Sequence, residues 1–217
     1  MKELKKNIKN LIRTLDRYSP YPLFFKFRMS IDEKKTFNKY IKNSKHYLEF
    51  GSGGSTLQTL LKSKTRISSV ESSLDWINYM CKYLIIKFFL KKRLFFYYVN
   101  IGKTKEWGFP FSNDSKEIFP NYSNDIFSYV DFNTIDIILI DGRFRVACLL
   151  SVIINMPSTE DTIILFHDFW NREKYHVVLN YVTEIERTDT LAVFRIKNKL
   201  DLNLVKRDYE IYKYIPD

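Results

Sequence analysis

Glycine is scarce in this chain, with six among 217 residues, and all six lie between Gly51 and Gly142. Three of them crowd into Glu49-Phe50-Gly51-Ser52-Gly53-Gly54-Ser55, directly after His46-Tyr47-Leu48. In a sequence so poor in glycine, a cluster of this kind serves the backbone. Glycine permits a sharp turn with positive φ and the close approach of a ligand to the main chain. A strand, loop and helix that wrap a nucleotide need both.

The pattern along the chain fits that setting. Residues 2–17 carry Leu4, Ile8, Leu11, Ile12 and Leu15 at spacings of three and four, which predicts an amphipathic helix with a basic outer face. Pro20 and Pro22 end it. Ser30 followed by Glu33 predicts a capping box that opens a second helix through about Ile41. After that the predicted elements alternate: strand 46–50, helix 55–62, strand 66–71, helix 73–90, strand 94–99, an irregular segment 101–122, a short helix near 123–130, strand 135–140, helix 143–155, strand 161–166 and helix 172–180. Residues 181–187 and 190–196, separated by Thr188-Asp189, read as an antiparallel hairpin. The alternation predicts an α/β fold, Rossmann-like and doubly wound. Its mostly parallel seven-stranded sheet ends in the C-terminal antiparallel hairpin and is preceded by an N-terminal helical extension. The extension spans 1–45 and the main domain 46–217.

Composition narrows the class. A 45% hydrophobic chain of this length can bury one substantial core. Cys81 and Cys148 fall inside apolar helical patterns, as reduced core cysteines of a cytoplasmic protein do. No run of eighteen uncharged apolar residues exists, and Met1-Lys2-Glu3-Leu4-Lys5-Lys6 leads into no signal-type segment, so a soluble cytoplasmic protein is expected. The formal charge of +10 points to polyanions or an anionic membrane surface. Much of the excess, however, is confined to Lys2–Arg28 and Lys82–Arg93, and richness in Lys, Asn, Ile, Tyr and Phe is what an AT-rich genome produces. No stable nucleic-acid partner is expected. The first helix is expected to dock on the domain, fastened by Pro20, Tyr21, Pro22, Phe24, Phe25 and Phe27, with weak contact to an anionic membrane as the alternative.

In such sheets the ligand sits beyond the carboxyl ends of the strands. Those ends carry Glu49 and the glycine loop, Glu71, Asp141-Gly142-Arg143 and His167-Asp168. Gly51-Ser52-Gly53 begins a dinucleotide fingerprint, but Thr56 replaces its third glycine. Glu71, twenty residues after Gly51, is placed either to accept both hydroxyls of a ribose or to cap the next helix. Asp141 follows the apolar run Ile135-Asp136-Ile137-Ile138-Leu139-Ile140, and His167-Asp168 follow Ile163-Ile164-Leu165-Phe166. A carboxylate after a strand buried on both faces needs a partner, a ligand or a helix to cap. His46 and His176 read as structural. Arg143 and Arg145 stand on the first turn of the helix after Asp141, where anions are preferred, so they either hold acids or grip an anionic acceptor. Trp107, Phe109, Phe111, Phe169 and Trp170 are candidates for an aromatic stacking wall.

Glu-x-Gly-x-Gly-Gly-Ser after the first strand, an acid after the second, Asp-Gly after the fourth and a terminal hairpin together resemble class I S-adenosylmethionine-dependent methyltransferases. The acid two residues before the first glycine discriminates, because nicotinamide-binding loops usually keep an apolar residue there. More narrowly, Glu106-Trp107-Gly108-Phe109-Pro110, Asp141-Gly142-Arg143-Phe144-Arg145-Val146-Ala147-Cys148 and His167-Asp168-Phe169-Trp170 are similar to a glycan-modifying branch found in bacteria and large viruses. The resemblance covers about residues 40 to 197 and makes 46–217 a methyltransferase domain.

The resemblance implies S-adenosyl-L-methionine as cofactor. Glu49 and the backbone of Gly51, Ser52, Gly53, Gly54 and Ser55 would hold its methionine moiety near a helix N-terminus. Glu71 would take the ribose, Asn100–Trp107 would close over the adenine, and Asp141 with Gly142 would face the sulfonium and the acceptor. The implied activity is O-methylation of a sugar hydroxyl in a glycan or polysaccharide, with Arg143, Arg145 and Trp170 on the acceptor. The alternatives are a non-catalytic or nucleic-acid-associated S-adenosylmethionine-binding module and an NAD(P)-dependent oxidoreductase. Asp141, His167 and Asp168 are the candidates for the acceptor's proton. In one route His167 or Asp168 is a general base. In the other, Asp141 and Asp168 bind magnesium or manganese, which lowers the hydroxyl pKa. Phe169 stands where magnesium-dependent enzymes often supply a further polar ligand, which favours the base.

Overall fold

Runs rich in Ile, Val and Phe pair at the places the sequence marks as strands. A computed structural model describes residues 2–156 and 161–217, with side chains for all of these except 2–6 and 9. Met1 and the Leu4 side chain lie outside the described residues. Seven strands form one sheet: β1 (His46–Phe50), β2 (Arg66–Glu71), β3 (Leu94–Tyr98), β4 (Ile137–Ile140), β5 (Ile163–Phe166), β6 (Val182–Thr188) and β7 (Leu191–Ile196), in the order β3-β2-β1-β4-β5-β7-β6. The first five are parallel to their neighbours, while β7 runs antiparallel to both β5 and β6. The chain winds outward from β1 to β3, then crosses back to β4 beside β1. Their carboxyl ends therefore diverge into a crevice at the switch point.

Helices cover both faces. They are α1 (Lys2–Tyr18), α2 (Ile31–Ile41), α3 (Gly54–Lys62), α4 (Leu74–Met80), α5 (Leu84–Phe89), the single turn α6 (Asn121–Asn124), α7 (Arg145–Asn155) and α8 (Leu202–Tyr212). One core layer packs α7 and Val205 of α8 against Leu48, Phe50, Ile138, Ile140, Ile164 and Phe166. The other packs residues of α2, α3 and α5 against Tyr47, Ile67, Ile137, Leu139 and Leu165. Alternate residues of each central strand feed opposite layers, as a sheet covered on both sides requires.

Three predicted features take a different form, and one helix is additional. Helix 73–90 is two helices, because the chain leaves helical geometry at Tyr83 (φ −82°, ψ 132°) and buries that ring against Phe25 and Tyr79. The segment 172–180 is a 3-10 helix, Glu173–Asn180. Helix α8 was not expected. Asp201 caps it by accepting from the amides of Asn203 and Leu204, and it carries Asp208 to the hydroxyl of Tyr181, 2.5 Å away. The expected docking of α1 is confined to its last turn and the segment that follows. Pro22 is buried, Phe25 meets Trp76, Tyr79 and Tyr83, and Phe27 meets Phe37. The described apolar residues of α1, and Tyr21 and Phe24 after it, stay exposed. Helix α2 is integrated more deeply: its capping-box residues Ser30 and Glu33 bond to Asp189 and Thr190 of the hairpin turn.

Candidate functional site

The crevice is built around two glycines that face each other. Gly51 turns at φ +98°, and a Cβ there would lie 2.7 Å from the Cα of Gly142. A Cβ on Gly142 would meet the Tyr122 hydroxyl, so neither position admits a side chain without displacement. The carboxyl ends of β1 and β4 are thereby pressed together. Gly53 differs: its backbone is extended at φ 172°, and a Cβ would enter open space. Gly54 differs again, since a Cβ would strike the backbone of Lys26 and Phe27. Its missing side chain admits the N-terminal segment.

Glu49 is completely buried, and its carboxylate accepts from the hydroxyls of Tyr47 (2.8 Å), Ser55 (2.6 Å), Ser69 (2.7 Å) and Thr56. Two donors on each oxygen fill its acceptor sites. It therefore braces the loop from beneath, with its acceptor sites taken by internal hydroxyls. Burial pushes its carboxyl up, and the hydroxyls oppose the rise. Helix α3 begins here without an acidic residue in its first turn, and a helix N-terminus favours an anionic group.

Glu71, at the end of β2, accepts from the amides of Ser72 (2.8 Å) and Ser73 (2.9 Å) at Oε1 and of Ser52 (3.2 Å) at Oε2. Burial raises it to about 7, against the pull of those amides. Oε2 retains acceptor capacity, which is what ribose hydroxyls require. Beside it the loop at Trp107 and Gly108 turns through φ +65° and +72°, and Gly108 sits close to the Ser72 hydroxyl. Trp107 itself is exposed, with the Arg28 guanidinium 4.7 Å from its ring.

Across the crevice, Asp141, His167 and Asp168 come together as expected. His167 Nδ1 lies 2.9 Å from Asp141 Oδ1 and 3.9 Å from Asp168 Oδ1. Arg145, the buried first residue of α7, lies between the two carboxylates. It reaches Asp141 Oδ1 at 3.2 Å and Asp168 Oδ2 at 3.4 Å, and donates to the carbonyls of Asp141, Gly142 and His167. Arg172 adds a 2.7 Å pair to Asp168. Burial would raise the Asp141 carboxyl, but His167 and the arginines hold it below the usual carboxylate range. Burial would likewise lower His167, but the facing Asp141 and Asp168 raise it.

This arrangement redistributes the expected roles. In the buried His167 ring Nδ1 is paired with Asp141, and Nε2 lies 3.6 Å from Glu33 of α2. Asp141 Oδ2, by contrast, has no hydrogen-bond partner among the described residues and belongs to a side chain that is partly exposed. Arg145 is consumed by internal partners and is not free to grip a substrate. Arg143, which precedes α7 rather than joining it, has its guanidinium 4.1 Å from the Phe109 ring and donates to the Asp217 carbonyl at 2.5 Å, while its buried Nε has no partner. Trp170 is held elsewhere: it packs on Phe194 of β7 beneath Arg187 of β6, and Phe169 is fully buried between Phe166 and Phe194. Of the expected aromatic wall, Phe109 is the ring brought against Arg143.

Ligand atoms of Asp141, His167 and Asp168 lie within 4.8 Å of one another. Two arginines and an imidazole already balance these two carboxylates, so the donor set does not suit a further dication. His46 and His176 take the structural places foreseen for them. His46 is buried between Thr134 and Ser68, and burial pushes its pKa to about 4. His176 lies against Phe169 and Trp170. Glu33, Arg172 and Asp217 were not singled out by sequence reasoning. Glu33 was visible as a capping residue, but its reach to His167 depends on contacts across more than half the chain.

No family model and no curated protein sequence matches this chain. Solved structures do match. A methyltransferase-like protein from Silicibacter pomeroyi is 24% identical with a TM-score of 0.76, over 88% of this chain and 98% of its own. A Podospora anserina methyltransferase, solved bound to S-adenosylhomocysteine, is 15% identical with a TM-score of 0.54, over 78% and 80%. A putative O-methyltransferase from Klebsiella pneumoniae is 11% identical with a TM-score of 0.52, over 85% and 88%. The fold is thus the Rossmann-like fold shared by these methyltransferases, with the antiparallel hairpin at its end.

Proposed function

We propose that the chain is an S-adenosylmethionine-dependent O-methyltransferase whose acceptor is a sugar hydroxyl of a glycan or polysaccharide. The observation that carries this reading is the contact of Gly51 with Gly142. It sets an open glycine loop and the acceptor carboxylate Glu71 immediately beside an acid, Asp141, with one oxygen free. The bound cofactor supplies a methyl group activated by its sulfonium. The backbone of Gly51–Ser55 and the N-terminus of α3 hold the methionine moiety, Glu71 holds the ribose, and the loop at Trp107 covers the adenine. The S-adenosylhomocysteine bound to the Podospora neighbour supports this choice over a nicotinamide cofactor.

On the acceptor side, Asp141 Oδ2 receives the hydroxyl proton, while His167 and Arg145 fix the orientation of the carboxylate through Oδ1. A carboxylate held below its ordinary pKa is a weak base, yet displacement at an activated methyl carbon asks mainly for alignment and a place for the proton. Asp168, tied to two arginines, orients Arg145. Arg143, stacked on Phe109 with Nε unpaired, favours an acceptor that carries an acidic group of its own.

Thermal shift with S-adenosylhomocysteine, NAD and NADP tests the cofactor, and methyl transfer to a panel of neutral and acidic sugars tests the acceptor. Stabilisation by S-adenosylhomocysteine alone is expected, together with transfer that falls about 10²-fold in Asp141→Asn at preserved cofactor binding. A response to NAD alone would replace the reading with an oxidoreductase. Cofactor binding without transfer to any sugar would leave a binding module.

A further inference from the structure

The foot of α1 is fixed, but its apolar stripe is not. Asp16 is buried and accepts from the amides of Leu23 (2.6 Å) and Phe24 (3.2 Å), and the Arg17 guanidinium lies 5.3 Å from the Tyr79 ring of α4. On the same helix Ile8, Leu11, Ile12 and Leu15 are 49%, 60%, 37% and 63% exposed. Tyr18, Tyr21, Leu23 and Phe24 continue the surface, each 60% exposed or more. Single exposed apolar residues are ordinary, but eight within 17 residues form a patch that needs a partner.

Charge identifies the partner. Lys2–Tyr18 contains six basic and two acidic residues, and one of the acids is the buried Asp16. The adjoining segment Lys82–Arg93 contains five basic residues and no acid, and exposes Leu84 and Phe88. The two are joined at the foot of α1, where Arg17 covers Tyr79 and Phe25 lies 5.0 Å from Tyr83. We propose that α1 and the Tyr18–Phe24 segment seat this protein on an anionic lipid surface, with the helix lying in the plane of the headgroups. A second copy would set two basic helices against each other, whereas anionic headgroups neutralise the charge while the acyl boundary takes up the stripe. No helix among the described residues is long and apolar enough to cross a membrane, so the contact is peripheral. This inference rests on no reading of the crevice.

The test is co-sedimentation of the full chain with phosphatidylcholine vesicles with and without phosphatidylserine. Vesicles containing phosphatidylserine should bind the protein and release it in high salt, because the attraction is screened. The variant Leu11→Glu/Leu15→Glu should lower the bound fraction at limiting lipid by about tenfold or more while leaving the melting temperature unchanged, since both side chains are exposed. Absence of binding to phosphatidylserine vesicles, or equal binding of wild type and variant, would overturn the proposal. So would light scattering that finds a wild-type dimer split by the same two substitutions, because the stripe would then be covered by a second copy.

Discussion

On the β1–β2 side of the crevice Glu49 and Glu71 are held by hydroxyls and backbone amides, whereas on the β4–β5 side Asp141 and Asp168 are held by two arginines and a histidine. Neutral donors do not overcome the cost of burying a charge, so Glu49 and Glu71 are pushed up. Cations do overcome it, and Asp141 is pushed down. A carboxyl group is thus, at Glu71, an acceptor with capacity left for a ligand and, at Asp141, a carboxylate oriented by cations. A cofactor that brings its own hydroxyl donors needs the first arrangement. An acceptor that must be aligned beside a fixed carboxylate needs the second.

The two sides meet at Gly51, and the largest effect is expected there. Gly51→Val combines a φ of +98° with a Cβ 2.7 Å from the Cα of Gly142. Backbone strain and overpacking together should cost on the order of 5 kcal/mol, enough to unfold a marginal domain. Gly53→Val, two residues away, points into open space from extended backbone. It should leave the melting temperature nearly unchanged and abolish the shift produced by S-adenosylhomocysteine. Equal loss of stability in the two variants would show that the loop is only a turn, and the comparison of the two sides would lose its functional half.

A smaller effect separates the sides by what holds them. Arg145→Ala strips a buried cation from two carboxylates and three carbonyls, and breaking a buried pair in this way should cost about 3 kcal/mol. Ser69→Ala removes one of four hydroxyls from Glu49 and should cost about 1 kcal/mol. Chemical denaturation of both variants measures the difference. A Ser69→Ala variant as damaged as Arg145→Ala would mean that Glu49 is charged and depends on every donor it has.

Most of what positions these residues was legible because it is local. Apolar runs fix the strands, and the acid or glycine after each run marks its carboxyl end. The Ser30–Glu33 capping box was legible for the same reason. Helix α8 left a signal that sequence reasoning passed over: Asp201 before Leu202, Val205 and Tyr209 is a cap followed by apolar residues at helical spacing. The break at Tyr83 left none, since it arises from a ring buried beneath Phe25, a residue nearly sixty positions earlier. The partners of Arg145, Glu49 and Trp170 were not legible for a related reason. Sequence shows that a charge or ring stands near the crevice, but how many of its donors or faces are already taken depends on partners that only the folded chain brings together.

A slope in stability with pH tests the contrast most directly. Glu71 titrates at about 7 in the folded protein, above its ordinary value of 4.5. The folded state therefore binds more protons than the unfolded chain in that interval, and stability is lost as pH rises from about 4.5 to about 7, by up to roughly 3 kcal/mol. Asp141 works the other way: its folded value lies below 3.8, so its contribution is present above that value and is lost as pH falls through the folded pKa. His167, raised above 6.5, shares the direction of Glu71, because its contribution is present below 6.5 and lost as pH rises through its folded value. The ligand separates the two. Ribose hydroxyls donate to a charged Glu71 better than to a neutral one, so the thermal shift caused by S-adenosylhomocysteine should grow between about pH 6 and pH 8. Glu71→Gln should flatten that growth, and His167→Gln should preserve it, since the imidazole faces the acceptor side. An S-adenosylhomocysteine shift that is the same at both pH values in the wild type would place Glu71 outside the cofactor site and leave its high pKa a consequence of burial alone.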